Sequence, residues 1–104
     1  MSQVKQADPI RGQTIRLTWT EGPTKGMTHE HVFHEDGTVE WGGKERVPYG
    51  AMKAGDDVYL ASYLATSGYT LSVALNFRDR TQVGFASSSK DWHQVRGTFE
   101  VVDR

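Results

Sequence analysis

Large apolar residues recur at every second position through much of this chain, most clearly in Tyr69-Thr-Leu-Ser-Val-Ala-Leu-Asn-Phe77. Tyr69, Leu71, Val73, Leu75 and Phe77 share one face, and Thr70, Ser72, Ala74 and Asn76 share the other. Successive side chains of a strand point to opposite faces, so this period of two predicts a strand with one dry and one wet side. The same pattern predicts strands over residues 14–20, with Ile15, Leu17 and Trp19 together, and over 28–34, with His29, His31 and Phe33 together. Residues 38–41 and 58–64 follow, the second placing Tyr59, Ala61 and Tyr63 on one side. A seventh strand carries Thr81, Val83 and Phe85 on its apolar face, and the last runs from Trp92 to Val102 with His93, Val95, Gly97, Phe99 and Val101 together.

Turn residues separate these runs. Glu21-Gly-Pro-Thr-Lys-Gly26, Glu35-Asp-Gly37, Thr66-Ser-Gly68 and Arg78-Asp79 hold the Gly, Pro and Asp that reversals need. Gly42-Gly43 ends the third strand. The segment from Lys44 to Gly55 is less regular: a short strand near Val47–Met52, interrupted by Pro48 and therefore edge-like or bulged, or else a lid over a barrel mouth. No stretch of eleven or more residues keeps a helical period. Seven or eight short strands with short turns predict an all-β fold, an antiparallel up-and-down barrel, with residues 1–11 as a flexible lead-in to a single domain over 12–104.

Bulk composition narrows the function. With 104 residues there is room for one core. Lys+Arg 12 against Asp+Glu 13, with no basic run, gives no electrostatic reason to expect nucleic acid or an anionic membrane as a partner. The absence of cysteine excludes disulfides, thiolate metal sites and a cysteine nucleophile. No apolar stretch resembles a secretion signal, so a cytoplasmic location is expected.

Several ordered motifs carry a resemblance. Gly12-x-x-Ile-x-Leu-x-Trp19, His34-Glu-Asp-Gly-Thr-Val-Glu-Trp41, Val58-Tyr-Leu-Ala-Ser-Tyr63, the strand from Leu71 to Phe77 and Gly97-Thr-Phe-Glu100 together resemble the MoaF-like family of small calycin barrels. That family is related to lipocalins and, more distantly, to phenolic acid decarboxylases. The resemblance implies a lipocalin-like barrel but no particular reaction. The decarboxylase relatives use a tyrosine pair on the first strand, an arginine and a glutamate. Here the tyrosine positions are Leu17 and Trp19, Asp56 falls near the glutamate, and Arg46 is the nearest arginine. The shape is expected without the reaction.

Among candidate chemical groups, His29-Glu-His31 is the sharpest local signal, because two imidazoles two apart on a strand share a wall. A metal would need a third ligand, His93 or Asp56, which the pair does not itself supply; hydrogen-bonded histidines are the preferred reading and no metal or cofactor is assigned. The inward aromatics either fill the barrel or wall a residual pocket, and a barrel of this size allows both. Asp56-Asp57 is an acidic pair or a turn, and Arg46 is a solvated arginine with reach towards the mouth.

These features lead to one expectation: a barrel binding a small apolar or aromatic ligand through Trp19, His29, His31, Trp41, Tyr63, Phe77, Phe85 and His93. The first alternative is an enzyme using Asp56 and His31 for proton transfer on a carboxylated substrate. The second is a filled barrel that acts in protein interaction or self-association, as a homodimer for example, through an exposed edge strand.

Overall fold

In the computed structural model, residues 10–41 and 45–102 are described. Eight strands follow one another around a closed barrel: β1 (Thr14–Glu21), β2 (Thr28–Phe33), β3 (Thr38–Trp41), β4 (Glu45–Gly55), β5 (Val58–Leu64), β6 (Thr70–Asn76), β7 (Thr81–Ser87) and β8 (Trp92–Val102). Each strand pairs antiparallel with its neighbours in sequence, and β8 returns to pair with β1 from Thr14↔Val102 to Trp19↔Gly97. The up-and-down barrel read from the alternation is the observed fold. Closure leaves no edge strand among the described strands. No described helix is long and apolar enough to cross a membrane.

Two glycines permit the closure. At Gly84 a Cβ would collide with the Ser72 carbonyl, and at Gly97 with the Thr18 carbonyl, so neighbouring backbones approach where a side chain would hold them apart. The core contains Ile15, Leu17, Phe33, Val39, Val47, Ala61, Val73, Leu75, Val95 and Phe99. Ile10, which the sequence assigns to the lead-in, is also fully buried there. Residues 1–9, Gly42, Gly43, Lys44 and 103–104 lie outside the described residues.

Two elements differ from expectation. The segment over 45–55 is a continuous wall strand and not a lid: β4 pairs with β3 through Glu45–Pro48 and with β5 from Tyr49 onward. Pro48 sits at the changeover. Tyr49 donates its N–H to Gly37 on the β3 side, so the neighbouring position points to the other side, where the β5 ladder has not begun. A missing N–H costs little there.

The second difference is the parity of β7. Gln82, Gly84 and Ala86 face inward, opposite Leu75, Val73 and Leu71, while Val83 and Phe85 face outward. The cause is the β6–β7 turn. Asn76 is directly opposite Thr81, and Asn76 is already on the wet face, so Thr81 must share it. Side-chain bonds hold this register: Asn76 Oδ1 accepts from the Arg78 N–H at 2.9 Å and Asp79 Oδ1 from the Thr81 N–H at 3.1 Å. Phe85 is 48% exposed and meets the Trp92 ring edge-on at 5.5 Å on the outer surface. With Leu60, Ala74 and Val83 it borders a shallow apolar groove outside the barrel.

This inversion is testable by urea unfolding. Leu75→Ala should cost about 2–5 kcal/mol, as expected for a truncated core residue. Phe85→Ser should stay within about 0.5 kcal/mol of the parent. Equal losses for the two variants would return Phe85 to the interior.

Candidate functional site

The two barrel ends differ in how they are filled. At the end carrying the β2–β3, β4–β5 and β6–β7 turns, Phe77 packs edge-on against Phe99 at 5.1 Å and against Tyr59 at 5.9 Å. The Arg80 guanidinium lies 5.6 Å from the Phe77 ring centre and 5.8 Å from that of Phe99, covering this plug with a cation–π contact. Space is left at the opposite end. A cavity of about 420 Å³ opens there.

Its walls come from the ends of the strands. Trp19 is the last inward residue of β1 before the ladder with β8 slips between Trp19 and Glu21. His29 and His31 enter from β2, Trp41 from β3, Tyr63 from β5, Leu71 from β6, Ala86 from β7, and His93 and Val95 from β8. Pro23 and Thr24 of the β1–β2 turn and Ala65 and Tyr69 of the β5–β6 connection complete the mouth. That turn is held by the Gly26 N–H donating to the Trp19 carbonyl at 2.8 Å and the Trp19 N–H donating to Met27 at 2.9 Å.

The polar atoms of the wall are mostly engaged. The Trp19 indole N–H donates to His29 Nδ1 at 2.9 Å. An indole nitrogen can only donate, so Nδ1 must be unprotonated and the neutral ring carries its hydrogen on Nε2. A 2.8 Å hydrogen bond joins His31 Nε2 and the Tyr63 hydroxyl. His31 is 2% exposed, stacked on Trp41 with ring centres 5.8 Å apart, and its Nδ1 has no hydrogen-bond partner. Burial, reinforced by the neighbouring His29, lowers its pKa to about 4; the His29 carbonyl favours the charge too weakly to offset this.

At the rim, Asp91 Oδ1 accepts from the Tyr69 hydroxyl at 2.8 Å and from the Ser88 hydroxyl at 2.9 Å. Both bonds hold the Asp91 carboxyl below the usual carboxylate range, and the bond to Asp91 raises the Tyr69 phenol. His93 stacks on Tyr69 at 6.4 Å, with Nε2 3.8 Å from Asp91. No Asp, Glu, Lys or Arg lines the cavity among the described residues.

The structure therefore brings together Trp19, His29, His31, Trp41, Tyr63 and His93 and separates the other candidates from them. Phe77 belongs to the packed end, because it follows β6 past the barrel interior. Phe85 is outside, by the inverted parity of β7. Asp56 lies exposed in the β4–β5 turn at the end remote from the cavity, beside Asp57 in its positive-φ conformation, so the pair is a turn. Arg46 does not reach the mouth: it bonds Thr38 at 2.9 Å and Asp36 at 3.0 Å on the outer surface. His34 points outward to Glu40 at 2.7 Å. No group of three potential metal ligands occurs among the described residues. Ala86 was hidden from sequence reasoning by the wrong parity of β7, whereas Leu71 and Tyr69 were legible as inward residues of the clearest strand.

No family model and no curated protein matches the chain. Its structure is similar to the crystal structure of a "putative beta-lactamase" from Burkholderia vietnamiensis, with a TM-score of 0.76 and 19% identity over 94% of this chain and 100% of that one. A likeness at that identity shows the barrel fold alone.

The buried imidazole has a consequence for stability. Above pH 6.5, His31 is neutral in both folded and unfolded chains. Between pH 6.5 and about 4 the unfolded chain takes up a proton that the folded site refuses, so stability falls as pH falls through this window. The loss attributable to His31 should approach roughly 3 kcal/mol near pH 4. Denaturant unfolding at several pH values should show a shallower acid slope for His31→Phe than for the parent; parallel slopes would refute the assignment.

Proposed function

We propose that this protein is a lipocalin-like, MoaF-like barrel that holds a small apolar or aromatic molecule in its end cavity, in the cytoplasm, without acting on it chemically. One observation carries the reading: the barrel is packed at one end and open at the other, and the open end is walled by aromatic rings. Its volume of about 420 Å³ lies within the roughly 300–1,000 Å³ of small-molecule pockets. Flat rings at the wall favour a flat apolar guest through stacking and exclusion of water. The ordered motifs from Gly12 to Glu100 support the MoaF-like part of the proposal.

Acid–base chemistry with Asp56 and His31 is less well supported, because Asp56 sits at the other end of the barrel. The name of the structural neighbour suggests β-lactam hydrolysis, and Ser87-Ser-Ser-Lys90 does spell the S-x-x-K pattern of such enzymes. A lysine three residues from a serine reaches it across one turn of a helix. Here Ser87 pairs with Trp92 at the outer end of β7, and Ser88 is engaged with Asp91.

Tryptophan fluorescence tests the binding reading, since Trp19 and Trp41 line the cavity while Trp92 lies outside it at 66% exposure. In a Trp92→Phe background, a panel of aromatic and fatty compounds should include members that change the emission saturably. Ala86→Phe, which projects a ring into the cavity, should weaken that binding by at least about tenfold, a change of about 1.4 kcal/mol. A silent panel, or binding indifferent to Ala86→Phe, would remove the cavity as the site.

A further inference from the structure

Resting on the cavity as the binding site, the charge of its wall limits what it can hold. A carboxylate drawn into an apolar cavity needs a cation or several donors to replace its water. The described lining contains no lysine or arginine, and His31, the deepest imidazole, stays neutral down to about pH 4. At the rim the carboxylate of Asp91 is kept ionised by Tyr69 and Ser88, and the exposed Lys25 and Lys90 of the adjoining turns are not among the lining residues. An anion would therefore enter an interior whose described lining offers no counter-charge.

An organic cation would gain from the aromatic walls. It would also meet His29, whose orientation opposes it. With Nδ1 accepting from Trp19, the ring atom left to a guest is Nε2–H, a donor, and no described residue accepts a hydrogen bond from it. His29 is only partly buried, so a guest that covers this N–H without bringing an acceptor leaves it unsatisfied, and one that brings an acceptor is favoured.

We propose that the occupant is an uncharged, flat aromatic molecule bearing a carbonyl or similar acceptor, which takes a hydrogen bond from His29 Nε2–H while its ring lies against Trp19 and Trp41. Such a guest leaves no ionised group without a counter-charge and gives His29 the partner it lacks. His29 then adds one directional contact to an aromatic wall that also presents Thr24, Tyr63 and His93.

Four naphthalenes of matched size test this by calorimetric titration at pH 7.5 on the full chain: 2-acetylnaphthalene, 2-naphthoate, 2-naphthyltrimethylammonium and 2-ethylnaphthalene. The ketone should bind at least about tenfold more tightly than either ion. It should also bind several-fold more tightly than the ethyl compound, which has the same shape and no acceptor. His29→Phe should bring the ketone and ethyl compound within about twofold of each other. Tightest binding by the carboxylate or the ammonium, or a ketone preference that survives His29→Phe, overturns the proposal while leaving the cavity as a binding site. Should His29→Phe fail to fold, the ranking of the four compounds on the parent protein still decides. Binding by none of them overturns the cavity reading as well.

Discussion

The interior of this molecule exists because its first strand pairs with its last. An open sheet of eight strands would twist and leave two unpaired edges, whereas the β1–β8 ladder removes the edges and encloses the inward faces. The ladder depends on local features of the chain. Gly97 has no Cβ where the Thr18 carbonyl presses in, and the register slips between Trp19 and Glu21. The slip leaves Trp19 inside at the mouth and Glu21 outside, where it meets Arg96 at 3.2 Å and Gln94 at 2.8 Å. Across the same seam, Arg16 joins Glu30 of β2 at 2.7 Å and Glu100 of β8 at 2.9 Å. These exposed ion pairs add little stability individually, and their geometry matches the register that closure requires.

Closure alone does not explain why one end is hollow. A small barrel tends to pack its centre, and the lower half does so with Phe77, Phe99 and Tyr59 under Arg80. At the mouth the wall is asymmetric. Large rings come from β1, β3 and β5, while β7 contributes Ala86 and the β5–β6 connection contributes Ala65. Three of the rings are held in place by hydrogen bonds, Trp19 to His29, Tyr63 to His31 and Tyr69 to Asp91, and Trp41 stacks on His31. Leaning into the space would break a hydrogen bond at a partly buried site, at a cost of about 1–3 kcal/mol for each group left unsatisfied.

Most of this architecture was legible in the alternation. β1, β6 and β8 show their inward faces directly, because those faces carry the larger apolar residues, whereas on β5 the outer face holds Leu60 and Leu64. The pattern misled at β7, where the apolar residues are outside and a glutamine, a glycine and an alanine are inside. Strand composition is a poor guide there, because the inward side of β7 has to fit between the bulk of Val73 and Leu75 on one side and Val95 on the other. Register was the better signal: the four-residue turn after Asn76 fixes which face Thr81 joins. Pro48 misled in the same way, since a proline is tolerated wherever its missing N–H would point away from a ladder. For the site, parity gathered both histidines of β2 and both interior tryptophans, but not Asp56, whose candidacy came from a resemblance in sequence position and not from any contact.

The His29–His31 pair shows how far spacing alone can carry an argument. Both imidazoles face inward, as alternation requires, and two inward imidazoles suggest a metal. Their neighbours give them different roles. His29 sits beside a tryptophan that can only donate, which takes its Nδ1 lone pair and leaves a hydrogen on the other nitrogen. His31, one pleat deeper, lies against Trp41 and bonds Tyr63, and burial keeps it uncharged. A metal requires lone pairs converging on one point, whereas here one lone pair of the two rings is occupied by an indole and one ring nitrogen is bound to a phenol. What distinguishes these histidines is therefore the donor or acceptor character of the aromatic residue each one meets, which depends on cross-strand register and not on their spacing in the sequence.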